Sequence, residues 1–238
     1  MEIDDGKGYI RQIKIAFAIM ESHHIKVEKT AHYYTLGQVG AHIRHCWIVC
    51  HGYGQLADKF LEEFKQLEDG QSLVIAPEGL SRFYWGGFTG PIVSSWMTSK
   101  NRLDEIADYT RFIQSLYDHY IPQLAPNVRI HLLGFSQGTA TQCRWILRKQ
   151  PHFHNLILCS GFFPEDLDYP SLGSYWDDKQ LIFTYGTLDR FLTPERTAFH
   201  EQVIREQQLE VEHIAFEGKH VIDQDVIKHL AERFRQAL

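Results

Sequence analysis

The sequence predicts an α/β fold built on a mostly parallel, doubly wound sheet with helices on both faces, and three observations predict it. Short apolar runs of strand length alternate with longer stretches whose apolar residues recur at helical spacing. Glycine-rich loops follow two of the runs, at His51-Gly52-Tyr53-Gly54 and Gly134-Phe135-Ser136-Gln137-Gly138. The order strand, glycine loop, helix then repeats along the chain, which asks for right-handed crossovers between parallel strands.

The elements follow in order. Lys26 to Leu36 alternates in a β-like way through Val27, Lys29, Tyr33 and Thr35, and Gly37 and Gly40 punctuate it, so an antiparallel hairpin edge is expected. His45 to Cys50 is a short apolar strand; Leu56, Phe60, Leu61, Phe64 and Leu67 then mark a helix. Ser72 to Ala76 is a buried strand closed by Pro77, and Val128 to Leu133 is the strand that feeds Ser136, with helical character from Thr139 to Lys149. Asn155 to Cys159, Leu181 to Tyr185 and Val211 to Phe216 continue the strands. Arg102 to Tyr120, Pro194 to Gln208 and Val226 to Phe234 read as helices, the first ending before Pro122.

Glu78 to Lys100 is the irregular exception, holding Phe83, Tyr84, Trp85, Phe88, Trp96 and Met97 among glycines and serines. A loop of that length with that aromatic density, following the carboxyl end of a strand, is expected to line a substrate site. The competing reading is a cap whose aromatics pack on the core.

At 238 residues, with 44% hydrophobic and 23% charged residues, the chain has the composition of a soluble globular protein. Its net charge of −6, without any Lys/Arg-rich run, argues against nucleic acid as a partner. Cys46, Cys50, Cys143 and Cys159 lie in apolar contexts without C-x-x-C spacing, which suits reduced core thiols and a cytoplasmic location. No stretch could span a bilayer, and Ile10 to Met20 is a poor leader because acidic residues precede it and no cleavage site follows. Residues 1–19 are set apart as an N-terminal extension, and 20–238 as a single domain without internal repeats.

The pentapeptide around Ser136 has the form G-x-S-x-G. Small residues are needed two before and two after the serine because the strand-to-helix turn is so tight, and the turn aims the hydroxyl and the next backbone N–H into one space. A serine is a weak nucleophile, so it needs a histidine to take its proton and a carboxylate to orient that histidine. In this sheet type the order is serine, acid, histidine, each partner in a loop past a strand. Asp189, in Gly186-Thr187-Leu188-Asp189, follows a strand directly; Asp166, Asp168, Asp177 and Asp178 share an acid-rich loop better read as solvated surface, and Asp223 and Asp225 come too late. Among fourteen histidines only His220, in Glu217-Gly218-Lys219-His220, occupies the required loop. The oxyanion of a tetrahedral intermediate needs two N–H donors already in place, for which the backbones of Gln137 and Tyr53 are positioned.

Together these four segments, with Pro194 after the acid, resemble the phospholipase/carboxylesterase family of α/β-hydrolases, which includes acyl-protein thioesterases. The likeness runs from about the first strand to the C-terminus. It implies the α/β-hydrolase fold, Ser136 as nucleophile, Asp189 as orienting acid, His220 as base, an oxyanion hole from Tyr53 and Gln137, and no metal or organic cofactor. Two features depart from the family pattern: the segment Gly79 to Lys100, and Lys219 where a small residue commonly precedes the histidine.

Rival readings have less behind them. A dinucleotide fingerprint needs glycine where Ser136 sits, and no G-K-[ST] supports a phosphate loop. The pairs His42/His45 and His152/His154 lack a carboxylate or thiolate at ligand spacing, so no metal site is expected. A non-catalytic small-molecule-binding protein on the same fold should have lost a triad member, and all three are present. The sequence thus reads as a serine hydrolase of the carboxylesterase, lysophospholipase or acyl thioesterase type, acting on a small ester or thioester through an acyl-enzyme, without stable membrane insertion and with a homodimer allowed.

Overall fold

The structure is a computed structural model that describes residues 20–236. The chain divides into two units, 1–30 and 31–238. In the first, residues 20–30 carry neither helix nor strand and expose their side chains. The extension expected over residues 1–19 lies outside the described residues.

The second unit holds a seven-stranded sheet in the order β1-β3-β2-β6-β7-β8-β9. Its strands are β1 (Tyr33–Leu36), β2 (His45–Cys50), β3 (Ser72–Pro77), β6 (Arg129–Phe135), β7 (Asn155–Cys159), β8 (Gln180–Gly186) and β9 (Val211–Phe216). All neighbours pair in parallel except β1, which runs antiparallel to β3. The expected hairpin edge is therefore corrected on two counts: the strand begins only at Tyr33, and it pairs across the sheet's margin with β3 instead of with the strand that follows it.

Alternation along each strand sends successive side chains to opposite faces. In β2, Cys46, Ile48 and Cys50 join Leu73 and Ile75 of β3 and Leu132 of β6 on one face. There they meet α2 (Arg102–Tyr120) through Ile106, Tyr109 and Ile113, and α3 (Gln137–Lys149) through Cys143, Trp145 and Ile146. On the other face Trp47, Val49, Leu133 and Ile157 meet α1 (Ala57–Leu61) and α5 (Gln224–Gln236) through Phe60, Ile227, Leu230 and Phe234. The remaining helix, α4 (Pro194–Glu206), opens on Pro194 with Thr193 as its cap and places Ile204 in the first cluster. All four cysteines are buried as free thiols. Among the described residues, no helix is long and apolar enough to cross a membrane.

Glu78 to Lys100 is not irregular throughout. It folds into a hairpin of β4 (Ser81–Tyr84) and β5 (Ile92–Ser95), turned over glycines 86, 87 and 90 at positive φ. Sequence periodicity missed it because serines carry its inward positions: Ser94 and Ser95 are buried. Strand order reverses between β2 and β6, where ligands bind in open α/β sheets.

Several histidines are locked inside. His131 on β6 is fully buried between Trp47 and Phe234, accepts from Asn155 Nδ2 at 2.8 Å on Nδ1, and so donates from Nε2 to His45 Nδ1 at 3.0 Å. Burial lowers the pKa of His131 well below the usual value, and brings those of His51 and His200 to about 4. Such groups are neutral in the folded chain while the unfolded chain protonates near 6.5, so unfolding takes up protons between those two values. Stability is therefore full well above pH 6.5 and falls as pH drops toward 4, by on the order of 1 kcal/mol for each of His51 and His200 at pH 5, with His131 acting in the same direction. Melting curves at pH 7.5 and pH 5 should show a decrease of several degrees; equal melting temperatures would mean these rings are not buried as neutral species.

Candidate active site

Ser136 alone separates β6 from α3, and its backbone has φ 52° and ψ −114°. A non-glycine residue in such a sparsely populated region costs about 1–3 kcal/mol, so its surroundings must enforce it. The Ser136 N–H donates to the Cys159 carbonyl at 2.9 Å, and the Ser136 carbonyl accepts from Thr139 N at 3.1 Å and Thr139 Oγ1 at 2.7 Å. The flanking glycines are required by space. A Cβ on Gly134 would stand 2.3 Å from the Gly138 carbonyl oxygen, and one on Gly138 would stand 2.0 Å from that of Cys50. The serine turn thus lies directly against the end of β2.

That end leads into His51, whose buried ring organises the next loop. His51 Nε2 accepts from Gly79 N–H at 2.9 Å, so Nδ1 carries the proton and donates to the Gly52 carbonyl at 2.7 Å. Burial brings its pKa to about 4 and keeps it neutral. In a trans peptide the C=O and the following N–H point opposite ways, so holding the Gly52 carbonyl also sets the direction of the Tyr53 N–H. The hairpin backs the loop: Gly54 N–H donates to Ser94 O at 2.9 Å, and Trp96 Nε1 donates to His51 O at 2.8 Å with its ring stacked on the imidazole. The Gln137 side chain ties the start of α3 to the same hairpin, donating to Met97 O at 2.9 Å and accepting from Trp96 N at 3.1 Å.

Asp189 lies just past β8 with its carboxyl group fully buried. Its Oδ2 is 2.6 Å from His220 Nδ1, and its Oδ1 accepts from Phe191 N–H at 2.9 Å. The two loops are locked together because Leu188 N–H donates to Gly218 O at 2.8 Å, and a Cβ on Gly186 would meet that oxygen at 2.3 Å. The His220 ring sits between Phe135 and Phe191, at 4.9 and 4.7 Å between ring centres. With Nδ1 tied to the carboxylate, Nε2 is the nitrogen left to exchange a proton.

Ser136, Gln137, Tyr53 and His220 line one cleft of about 580 Å³, with Asp189 behind His220. Of the six expected substrate residues, Trp85 lines this cleft. Phe83 supports it through ring contacts with Trp85 and Tyr53, whereas Tyr84 and Phe88 face solvent away from its walls. Trp96 requires correction: it is 1% exposed, packed on His51 and Tyr109 inside the core. Met97 is likewise packed against the core, with Sδ 3.6 Å from Arg144 Nη1. Both residues follow β5, and the hairpin folds them back under the loop after β2 instead of over the cleft.

Sequence reasoning passed over several residues that do line the cleft: Arg144, Ser160, Phe162, Phe163 and Phe191. Ser160-Gly161 follows the carboxyl end of β7, the edge where ligands bind, and that position was a readable signal. Arg144 stands two turns into α3, where it pairs with Asp166 at 3.0 Å. Among the described residues, no group of three or more His, Cys, Asp or Glu side chains comes together as a metal site.

Comparison with known proteins places the fold. A family model described as phospholipase/carboxylesterase matches residues 41–237. A crystal structure of esterase PE8 is 17% identical, with a TM-score of 0.64 over 88% of this chain and 100% of that one. Acyl-protein thioesterase 2 of Zea mays is 13% identical, with a TM-score of 0.65 over 87% and 99%. A phospholipase/carboxylesterase from Dyadobacter fermentans is 16% identical, with a TM-score of 0.59 over 87% and 97%. A search of curated proteins finds no match. At these identities the structural likenesses speak to the fold, which is that of the α/β-hydrolases.

Because Trp96 is a core residue, Trp96→Ala should destabilise the chain by about 3–5 kcal/mol, as large aromatic truncations in packed interiors do. Urea or thermal unfolding checks this; a variant as stable as the parent would return Trp96 to the cleft.

Proposed function

Because the chain belongs to the phospholipase/carboxylesterase family, we propose that it is a serine hydrolase that cleaves a carboxylic ester or thioester through an acyl-enzyme on Ser136. The observation that carries this reading is the His220–Asp189 contact of 2.6 Å beside the cleft that holds the strained Ser136 turn. In the first half-reaction His220 Nε2 takes the Ser136 Oγ proton as Oγ attacks the carbonyl carbon. The oxyanion that forms is met by the N–H groups of Tyr53 and Gln137, and Asp189 stabilises the imidazolium. His220 then returns the proton to the departing alcohol or thiol, leaving the acyl group on Oγ. In the second half-reaction water gives its proton to His220 and attacks the same carbon; the acid departs and Ser136 recovers its proton. No step calls on a metal or organic cofactor.

The proposed roles imply unequal losses. Ser136→Ala should remove about a million-fold of turnover and abolish labelling by a fluorophosphonate probe, with the fold intact. His220→Ala should come close to the same loss. Asp189→Asn should cost less, about 10⁴-fold, because the base remains but its tautomer and orientation are no longer set. The double variant should be no worse than the worse single, since the residues act as one unit. Label retained on Ser136→Ala, or losses that multiply in the double variant, would defeat the assignment.

A further inference from the structure

A second cavity of about 360 Å³ lies between α4 and the loop after β7, walled by Phe162, Phe163, Phe199, His200 and Val203, with Arg196 among them. Phe162, Phe163, Glu165 and Arg196 line both this cavity and the cleft that holds Ser136 and His220, so the two spaces adjoin. Its volume is within the range of small-molecule sites, and its walls are largely apolar. One face of α4 supplies the far wall, since Arg196, Phe199, His200 and Val203 recur at spacings of three and four. The Arg196 guanidinium lies 5.6 Å from the centre of the Phe162 ring, on the wall the two spaces share.

His200 is one of the walls of this cavity. It is 1% exposed, its Nε2 accepts from Phe163 N–H at 3.0 Å, and its Nδ1, which then carries the proton, has no hydrogen-bond partner among the described residues. The hairpin side of the cleft is closely packed where it meets the core. There Trp96 fills the interior, and a Cβ on Gly79 would already stand 2.5 Å from the Ser95 carbonyl oxygen.

Resting on the hydrolase reading above, we propose that the cavity beneath α4 receives the apolar arm of the substrate, and that the preferred ester carries an uncharged chain of medium length lodged against Phe162, Phe199 and Val203, not under the aromatic hairpin. Each methylene that enters should raise kcat/KM about fourfold, and the gain should end where the cavity is full.

The test compares 4-nitrophenyl esters from acetate to decanoate, and alkyl acetates of matching length, on the full chain and on Val203→Trp, which fills the cavity. The octanoate-to-acetate ratio should fall at least tenfold in the acyl series, or the octyl-to-methyl ratio in the alkyl series, and the series that responds tells which end of the ester occupies the cavity. Ratios unchanged within twofold in both series, in a folded variant, overturn the proposal. If Val203→Trp does not fold, Phe199→Trp, at a half-exposed rim position, takes its place. A binding arm needs no turnover: 1-octanol should raise the melting temperature of Ser136→Ala but not of Ser136→Ala/Phe199→Trp. A parent chain that hydrolyses no ester while this shift appears would sink the hydrolase reading and keep the cavity. A parent that hydrolyses esters with neither shift nor changed ratios would sink the cavity alone.

Discussion

Everything around the cleft depends on one steric constraint: no side chain fits between the serine turn and the end of β2. With a Cβ on Gly138 only 2.0 Å from Cys50 O, β6, α3 and the loop after β2 must meet through backbone alone. That closeness is what brings Gln137, which begins α3, and Tyr53, which follows β2, into the lining of one cleft. The strain at Ser136 is the corollary. A residue held at φ 52° has few alternatives when its N–H and carbonyl are both bonded and both flanking glycines are in contact with backbone.

The hairpin after β3 acts as a brace for this arrangement. Its backbone bonds the loop after β2 at Gly54 and the Gln137 side chain at the head of α3, and its Trp96 supports His51 from beneath. Polar groups do most of this, and each is satisfied: Ser94 Oγ reaches Gln55 O at 2.9 Å and Ser95 Oγ reaches Met97 O at 3.0 Å. Buried polar networks of this kind specify one geometry when complete. The brace also explains why aromatic content alone misleads here. Trp85 and Trp96 lie on opposite arms of one hairpin, one reaching the cleft and the other the core.

Most of the parallel sheet was legible because its strands are apolar runs and its helices carry apolar residues at period 3.6; Arg102–Tyr120 and Val211–Phe216 fall where periodicity put them. That Ser136, Asp189 and His220 come together was legible because each lies in a short loop after a strand, so position along the chain translates directly into position at one sheet edge. What escaped follows from contacts distant in sequence. The partner of β1 is set by a strand some forty residues on, the hairpin's inward positions are serines that read as loop, and Phe162, Phe199 and Val203 meet in one cavity only once α4 packs beside the loop after β7. No local pattern records such meetings.

The four free thiols sit in both layers of the core: Cys46, Cys50 and Cys143 among the side chains facing α2 and α3, and Cys159 among those facing α1 and α5. Burial pushes the pKa values of Cys46, Cys143 and Cys159 up to about 12, so in the closed molecule each is both inaccessible and in its unreactive protonated form. Alkylation can then proceed only through an opening that wets the thiol, and its rate becomes a measure of how often that layer parts. The chain thus carries its own clocks for local opening, three on one side of the sheet and one on the other, with no probe to be introduced.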